Sequence, residues 1–278
     1  MYFEKDSTRK HNGKIISQNA TCLKYLDEMR EIEHFLDQFG FLSFGRDYIV
    51  LEGHVFSLQA VLTSCELTVG SIVSCCEFGC IADANTLLRK YRDDLFFYLY
   101  ILVWDSNSRI NKVSETIGKM EKNILQWLKN DLSGLNIRTV MEHILQSEKI
   151  KSAAETFQLS SSYKSIGRRL NDYVHSNGIS YYNYNVSSRE ESTFQNKLER
   201  LLQDIRFVTT SFVFLLTLCS PMAIMSNDYI DYLDCGEVPP EGSQYWVAPF
   251  ILTFLEENSE LVDKDYLYYL RDHTPMTY

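Results

Sequence analysis

Proline is absent from the first 220 residues of this chain. Pro221, Pro239, Pro240, Pro249 and Pro275 all lie in the last 58. Proline lacks a backbone N–H and clashes with the preceding helical turn, so a long stretch without it leaves long helices unbroken. The apolar residues of that stretch recur at helical spacing. Leu23, Leu26, Met29, Ile32, Phe35 and Leu36 make one stripe over 19–39, with Gly40 as its expected stop. The run from Val55 to Phe78 is predicted as a helix ending at Gly79, and Ala82 to Trp104 as another. The latter ends in LFFYLYILVW, apolar all round, as a central helix is. Further helices are predicted over 111–132, 138–146, 149–157, from the Ser160–Ser161–Ser162 cap to Asn177 with Gly178 behind it, and from Ser187 to about Cys219. SYYNYNV (180–186) is the one strand-like piece, and a loop suits it better. Short connections make neighbouring helices antiparallel. The expected fold class is therefore all-α, an antiparallel helical bundle over 1–220. Residues 221–278 form an acidic, proline-bearing helical cap with short helices near 245–257 and 262–271. So short a segment buries too little to stand alone.

Charge sharpens this division. The chain of 278 residues carries a formal net charge of -10. Eleven acidic residues against Lys264 and Arg271 give the segment from Asp228 onward a net of -9, which leaves the rest near neutral. An acidic chain is a poor non-specific binder of nucleic acid, but here the acidity is concentrated in the tail. The seven cysteines form no CxxC pair, and CCEFGC (75–80) has no nearby histidines at zinc-ligand spacing. Reduced, buried thiols in a cytoplasmic protein are expected, with no metal and no cofactor. The N-terminus, MYFEKDSTRKHNGK, lacks the apolar run of a signal peptide. Residues 207–227 carry no charge, long enough to span a bilayer. They continue the amphipathic run KLERLLQDIR, contain Pro221, and have no basic cluster beyond them, so a core helix is expected and no membrane span.

The candidate chemistry lies in RRLNDYVHSNG (168–178). On a helix Arg168, Asn171, Asp172 and His175 stand at i, i+3, i+4 and i+7, one stripe holding a cation, an amide, a carboxylate and an imidazole. Such a set supports RNA cleavage without metal. The histidine moves protons at the ribose 2′-hydroxyl and the leaving 5′-oxygen. The arginine grips the phosphate bidentately and offsets charge in the transition state. Asn171 or Asp172 fixes the imidazole. Arg138 and His143 have similar spacing but are five residues apart and do not share a face. A structural account of His175 also stands, as a cation at a helix C-terminus paired with Asp172. Arg89 and Asp93 read as an ordinary i, i+4 pair, and Trp104 and Trp127 as core. Tyr181, Tyr182 and Tyr184 suit base stacking and packing on the bundle equally. The chain has no glycine-rich phosphate loop, no HExxH and no GxSxG.

An arginine followed at four to six residues by histidine, late in a helical bundle, resembles the HEPN superfamily (higher eukaryotes and prokaryotes nucleotide-binding). The likeness covers about 81–220. It implies a metal-independent ribonuclease of the toxin or anti-phage defence kind, with RNA as substrate and a composite site at a homodimer interface. His175 carries over, with either Arg168 or Arg169. The family usually places a polar residue directly after the arginine. Arg168 is followed by Arg169, whereas Arg169 is followed by Leu170, and Asn171 would serve from the next turn. The resemblance also implies an acidic residue on an upstream helix, which RKYRDD (89–94) supplies as Asp93 or Asp94. A protein partner, an antitoxin or defence-complex subunit, belongs to the same expectation. The competing reading is a non-catalytic helical subunit that holds a partner through its acidic, aromatic tail.

Overall fold

The computed structural model describes residues 7–43, 48–109, 114–131, 136–174 and 191–278. The protein is an all-α helical bundle. Among the described residues it has thirteen α-helices and one two-stranded hairpin. In chain order these are α1 (Ser7–Ser17), α2 (Ala20–Leu42), β1 (Tyr48–Leu51), β2 (His54–Ser57), α3 (Gln59–Glu77) and α4 (Ile81–Arg109). They continue with α5 (Glu115–Leu128), α6 (Ile137–Ile144), α7 (Glu148–Thr156), α8 (Leu159–Val174) and α9 (Glu191–Cys219). The tail adds α10 (Asp228–Asp234), α11 (Pro249–Glu257), α12 (Ser259–Val262) and α13 (Tyr266–His273).

Local chemistry sets many of these boundaries. The Asn19 carboxamide oxygen accepts from the Cys22 amide at 2.9 Å, and Asn136 accepts from Thr139 at 2.9 Å, each satisfying an orphan donor of the first turn. Ser114 does the same for Ile117, so α5 starts after the predicted 111. Gly79 adopts a φ of +70° and stops α3, as its position suggests. Gly40 does not stop α2. The helix runs two residues further because Leu42 continues the buried stripe that includes Phe39. Serines 160–162 lie inside α8, which begins at Leu159, rather than capping it. Pro249 occupies the first turn of α11, where its missing N–H costs nothing.

The hairpin corrects the sequence reading, which assigned Val55–Ser57 to a helix. Glu52 (φ 44°) and Gly53 (φ 81°) form a two-residue turn with both φ positive, the geometry that matches strand twist. Val50 then pairs with Val55, and Ile49 with Phe56. The expected loop at 180–186 lies outside the described residues, as do Gly178, Ser187 and Ser188.

The core forms around α4 and α9. α2, α3, α4 and α9 pack in succession, and α4 also carries α6 and α8. From Leu95 to Trp104 every α4 side chain except Phe97 is buried. In α9 the run from Val208 to Leu218 is buried on all sides. Two of its threonines are satisfied within the helix, Thr209 and Thr217 each donating to a carbonyl four residues back at 2.8 Å, whereas the Thr210 hydroxyl is buried with no partner among the described residues. Both α3 and α9 contain windows long and apolar enough to cross a bilayer, and in α9 83% of that window is buried inside the protein. The tail packs on the bundle. Phe254 of α11 stacks on Phe35 of α2, with centroids 3.9 Å apart. Tyr266 and Tyr269 of α13 lean on Phe214 of α9.

Candidate functional site

Helix α8 is amphipathic, and the two faces part cleanly. Leu159, Tyr163, Ile166 and Leu170 are buried against the bundle. Lys164, Arg168, Asn171 and Asp172 are exposed. Arg168 and Asn171 line a cleft of about 730 Å³ bounded by α4, α6 and α8. His175 follows the last described residue of α8 and lies outside the described residues.

Four cations line the cleft: Arg92, Arg138, Lys164 and Arg168, against the single carboxylate of Glu142. Phe96, Met141 and Tyr163 supply its apolar wall. Arg138 and Glu142 form an exposed i, i+4 pair at 2.9 Å, which water screens. Arg168 has no ion-pair partner among the described residues, so its guanidinium fork is open to a ligand.

Arg92 is the deep cation. Only 4% of it is exposed. Its Nε and Nη2 donate to Asp93 Oδ1 at 2.9 and 2.6 Å. Its Nη1 passes so close to α8 that a Cβ at Gly167 would stand 2.8 Å from it. Glycine is costly inside a helix, and here it makes room for a buried guanidinium. The interior glycine beside Arg168 was the sequence signal for this approach. Arg92 and Lys164 were not singled out from the sequence, and Arg138 was set aside there together with His143.

The other sequence-derived candidates are placed differently. Arg169 does not line the cleft. Its Nη2 pairs with Asp204 of α9, a carboxylate that also lies 3.7 Å from Arg200. Burial pushes the Asp204 carboxyl up, and Arg169 and Arg200 only partly oppose this. Alanine at Asp204 strips the partner from a guanidinium whose Nε is already buried without an acceptor. A loss of about 2–3 kcal/mol is expected by chemical denaturation. That lies below the roughly 3–5 kcal/mol of a fully buried broken pair, because Arg169 keeps part of its side chain in water.

Asp93 and Asp94 line a neighbouring cavity on the other side of Ile137 instead of facing Arg168. Burial raises the Asp93 carboxyl, opposed by Arg92 and Arg89. Asp94 accepts from Lys90. His143 stays out of the cleft. Its ring stacks on Tyr100, whose hydroxyl also accepts from Asn123 at 3.1 Å, and burial lowers its pKa. Trp127 is half-buried rather than core.

Among the described residues no cluster of three or more His, Cys, Asp or Glu is arranged to hold a metal. Cys76 is fully buried, and burial raises its thiol well above its ordinary range. The geometry offers a basic, apolar-walled groove able to grip a polyanion through Arg168 and Lys164. The chain matches no family model, no curated protein and no solved structure.

Proposed function

We propose that the cleft between α4, α6 and α8 binds single-stranded RNA and that the protein is a HEPN-like, metal-independent ribonuclease. One observation carries this reading. A chain with a net charge of -10 lines this groove with four cations and one carboxylate, and Arg168 and Asn171 of the stripe that leads to His175 open onto it. Arg168 holds the scissile phosphate, and Asn171 orients it or the imidazole. His175 takes the proton of the 2′-hydroxyl, which attacks phosphorus as the 5′-oxygen leaves with a proton from a second acid. A second copy of the chain supplies that acid, which makes the working unit a homodimer. A role as a toxin or anti-phage effector in the cytoplasm is part of the same proposal.

The test is incubation of the purified chain with single-stranded RNA in excess EDTA. Cleavage leaving 2′,3′-cyclic phosphate ends is expected, and no cleavage over a wide protein range would overturn the catalytic part. Binding has its own measurement. Arg168→Gln and Lys164→Gln should each weaken RNA binding and lower the slope of log affinity against log salt by about 0.7, the share of one phosphate contact on a single strand.

The tail favours a second reading. α10 buries none of its side chains and exposes Tyr232 and Leu233 among Asp228, Asp231 and Asp234. Such a surface suits a basic protein partner. A stable complex that survives His175→Ala, with no RNA cleavage by either form, would replace the ribonuclease reading with this one.

A further inference from the structure

Beside the basic cleft lies a second concavity of about 530 Å³, between the hairpin, α3, α4, α5 and α6. Its wall is aromatic. Trp127 of α5 sits between Phe56 of β2 and Phe97 of α4, at 4.7 Å from each ring centroid, and all three rings are only half-buried. Its polar side is rich in acceptors: Asp93, Asp94 and Ser64. The one cation present, Lys90, is already spent. Its three donors reach Ser64 at 3.2 Å, Thr68 at 3.3 Å and Asp94 Oδ2, which fixes that carboxylate and leaves no donor for a ligand. Asp94 Oδ1 has no hydrogen-bond partner among the described residues.

The two concavities are neighbours. Ile137 lines both, and Arg92 in the cleft is followed directly by Asp93 in the cavity. Consecutive Cα atoms are about 3.8 Å apart. A strand whose phosphate rests in the cleft can therefore set its base in the cavity. The aromatic walls stack any base. The polar side selects among bases, because carboxylates only accept. Guanine alone presents two adjacent donors, N1–H and N2–H, on one edge. Adenine, cytosine and uracil each place an acceptor next to the donor on that edge, where it would face a carboxylate.

We propose that this cavity is a guanine subsite, so that the protein engages RNA at guanosine. The proposal rests on reading the neighbouring cleft as an RNA seat, and the experiment separates the two. The full-length protein is titrated calorimetrically with guanosine, adenosine, cytidine and uridine, and then with G-containing and all-uridine oligonucleotides. Guanosine should bind at least 10-fold more tightly than the other nucleosides. Asp94→Asn should erase that preference while leaving the all-uridine oligonucleotide unaffected, and its exposed i, i+4 pair with Lys90 contributes too little for the fold to depend on it. Trp127→Ala should weaken all four nucleosides about 10-fold. Four equal affinities, or a preference that survives Asp94→Asn, would overturn the guanine subsite. Oligonucleotides that bind through Arg168 without base preference would retain the cleft and remove the subsite. Guanosine selectivity without oligonucleotide binding would retain the subsite and remove the cleft.

Discussion

Replacing His175 with alanine is expected to cut metal-free RNA cleavage by about 10²–10⁴-fold, the range contributed by a positioned general acid or base. The expectation follows from helix geometry. Arg168 and Asn171 both line the basic cleft. A residue seven places beyond Arg168 on a continuing helix returns to the same face within about 20°. Cleavage is measured in EDTA on a fixed RNA, and circular dichroism checks that the helical content persists. If His175 only complements the helix C-terminus, the loss is about 0.3–1 kcal/mol of stability and cleavage is untouched. The two accounts therefore separate in one experiment. Arg168→Lys adds a second reading of the same chemistry. It keeps the charge but loses the planar fork, so turnover should fall while RNA binding largely persists.

Phe214→Ala should destabilise the protein by about 3–5 kcal/mol. Phe214 is fully buried in α9 and meets three other rings edge-on or tilted. They are Phe157 after α7 at 5.2 Å, Tyr266 at 5.6 Å and Tyr269 at 6.0 Å. Its removal opens a cavity where the tail meets the bundle, and no single neighbour can close it. Urea denaturation followed by tyrosine and tryptophan fluorescence should show one transition moving to lower urea. Two separate transitions in the parent protein would show instead that the tail unfolds by itself.

Much of the helical architecture was readable because it rests on local signals. Proline is missing where helices run, and stripes such as Leu26–Met29–Ile32–Phe35 repeat within a few residues. The hairpin was hidden because each strand has only four residues. Its second strand also merges into the apolar run of α3, so alternation is too short to outweigh helical periodicity. Gly40 misled because a glycine ends a helix only where the chain beyond it has no buried face to continue. At the site, the link between Arg168 and Asn171 was visible since neighbours on one turn are fixed by sequence spacing. Asp204 was not, because it meets Arg169 across 35 residues of chain. The same holds for Arg92, Arg138 and Lys164, which come from three helices and become a group only once α6 and α8 pack on α4. Asp93 and Asp94 illustrate the converse. A short spacing placed them near the right helix, but the side of α4 they occupy depends on the tertiary packing.

Two buried hydroxyl pairs have a consequence for how the cleft meets a ligand. Tyr91 of α4 hydrogen-bonds Thr209 at 2.6 Å, and Tyr163 of α8 hydrogen-bonds Ser211 at 2.5 Å, both on α9. Two of the three walls of the cleft, α4 and α8, are thus pinned to one common strut within a single turn. Sliding or spreading either of these helices would leave a phenol unpaired in an apolar interior, at about 1–3 kcal/mol for each orphaned group, while Thr209 and Ser211 keep their bonds to carbonyls four residues back. The α4 and α8 sides of the groove are therefore set before any ligand of the proposed kind arrives. Association pays little for reorganisation, and the encounter rate should be set by diffusion and charge rather than by a slow opening step.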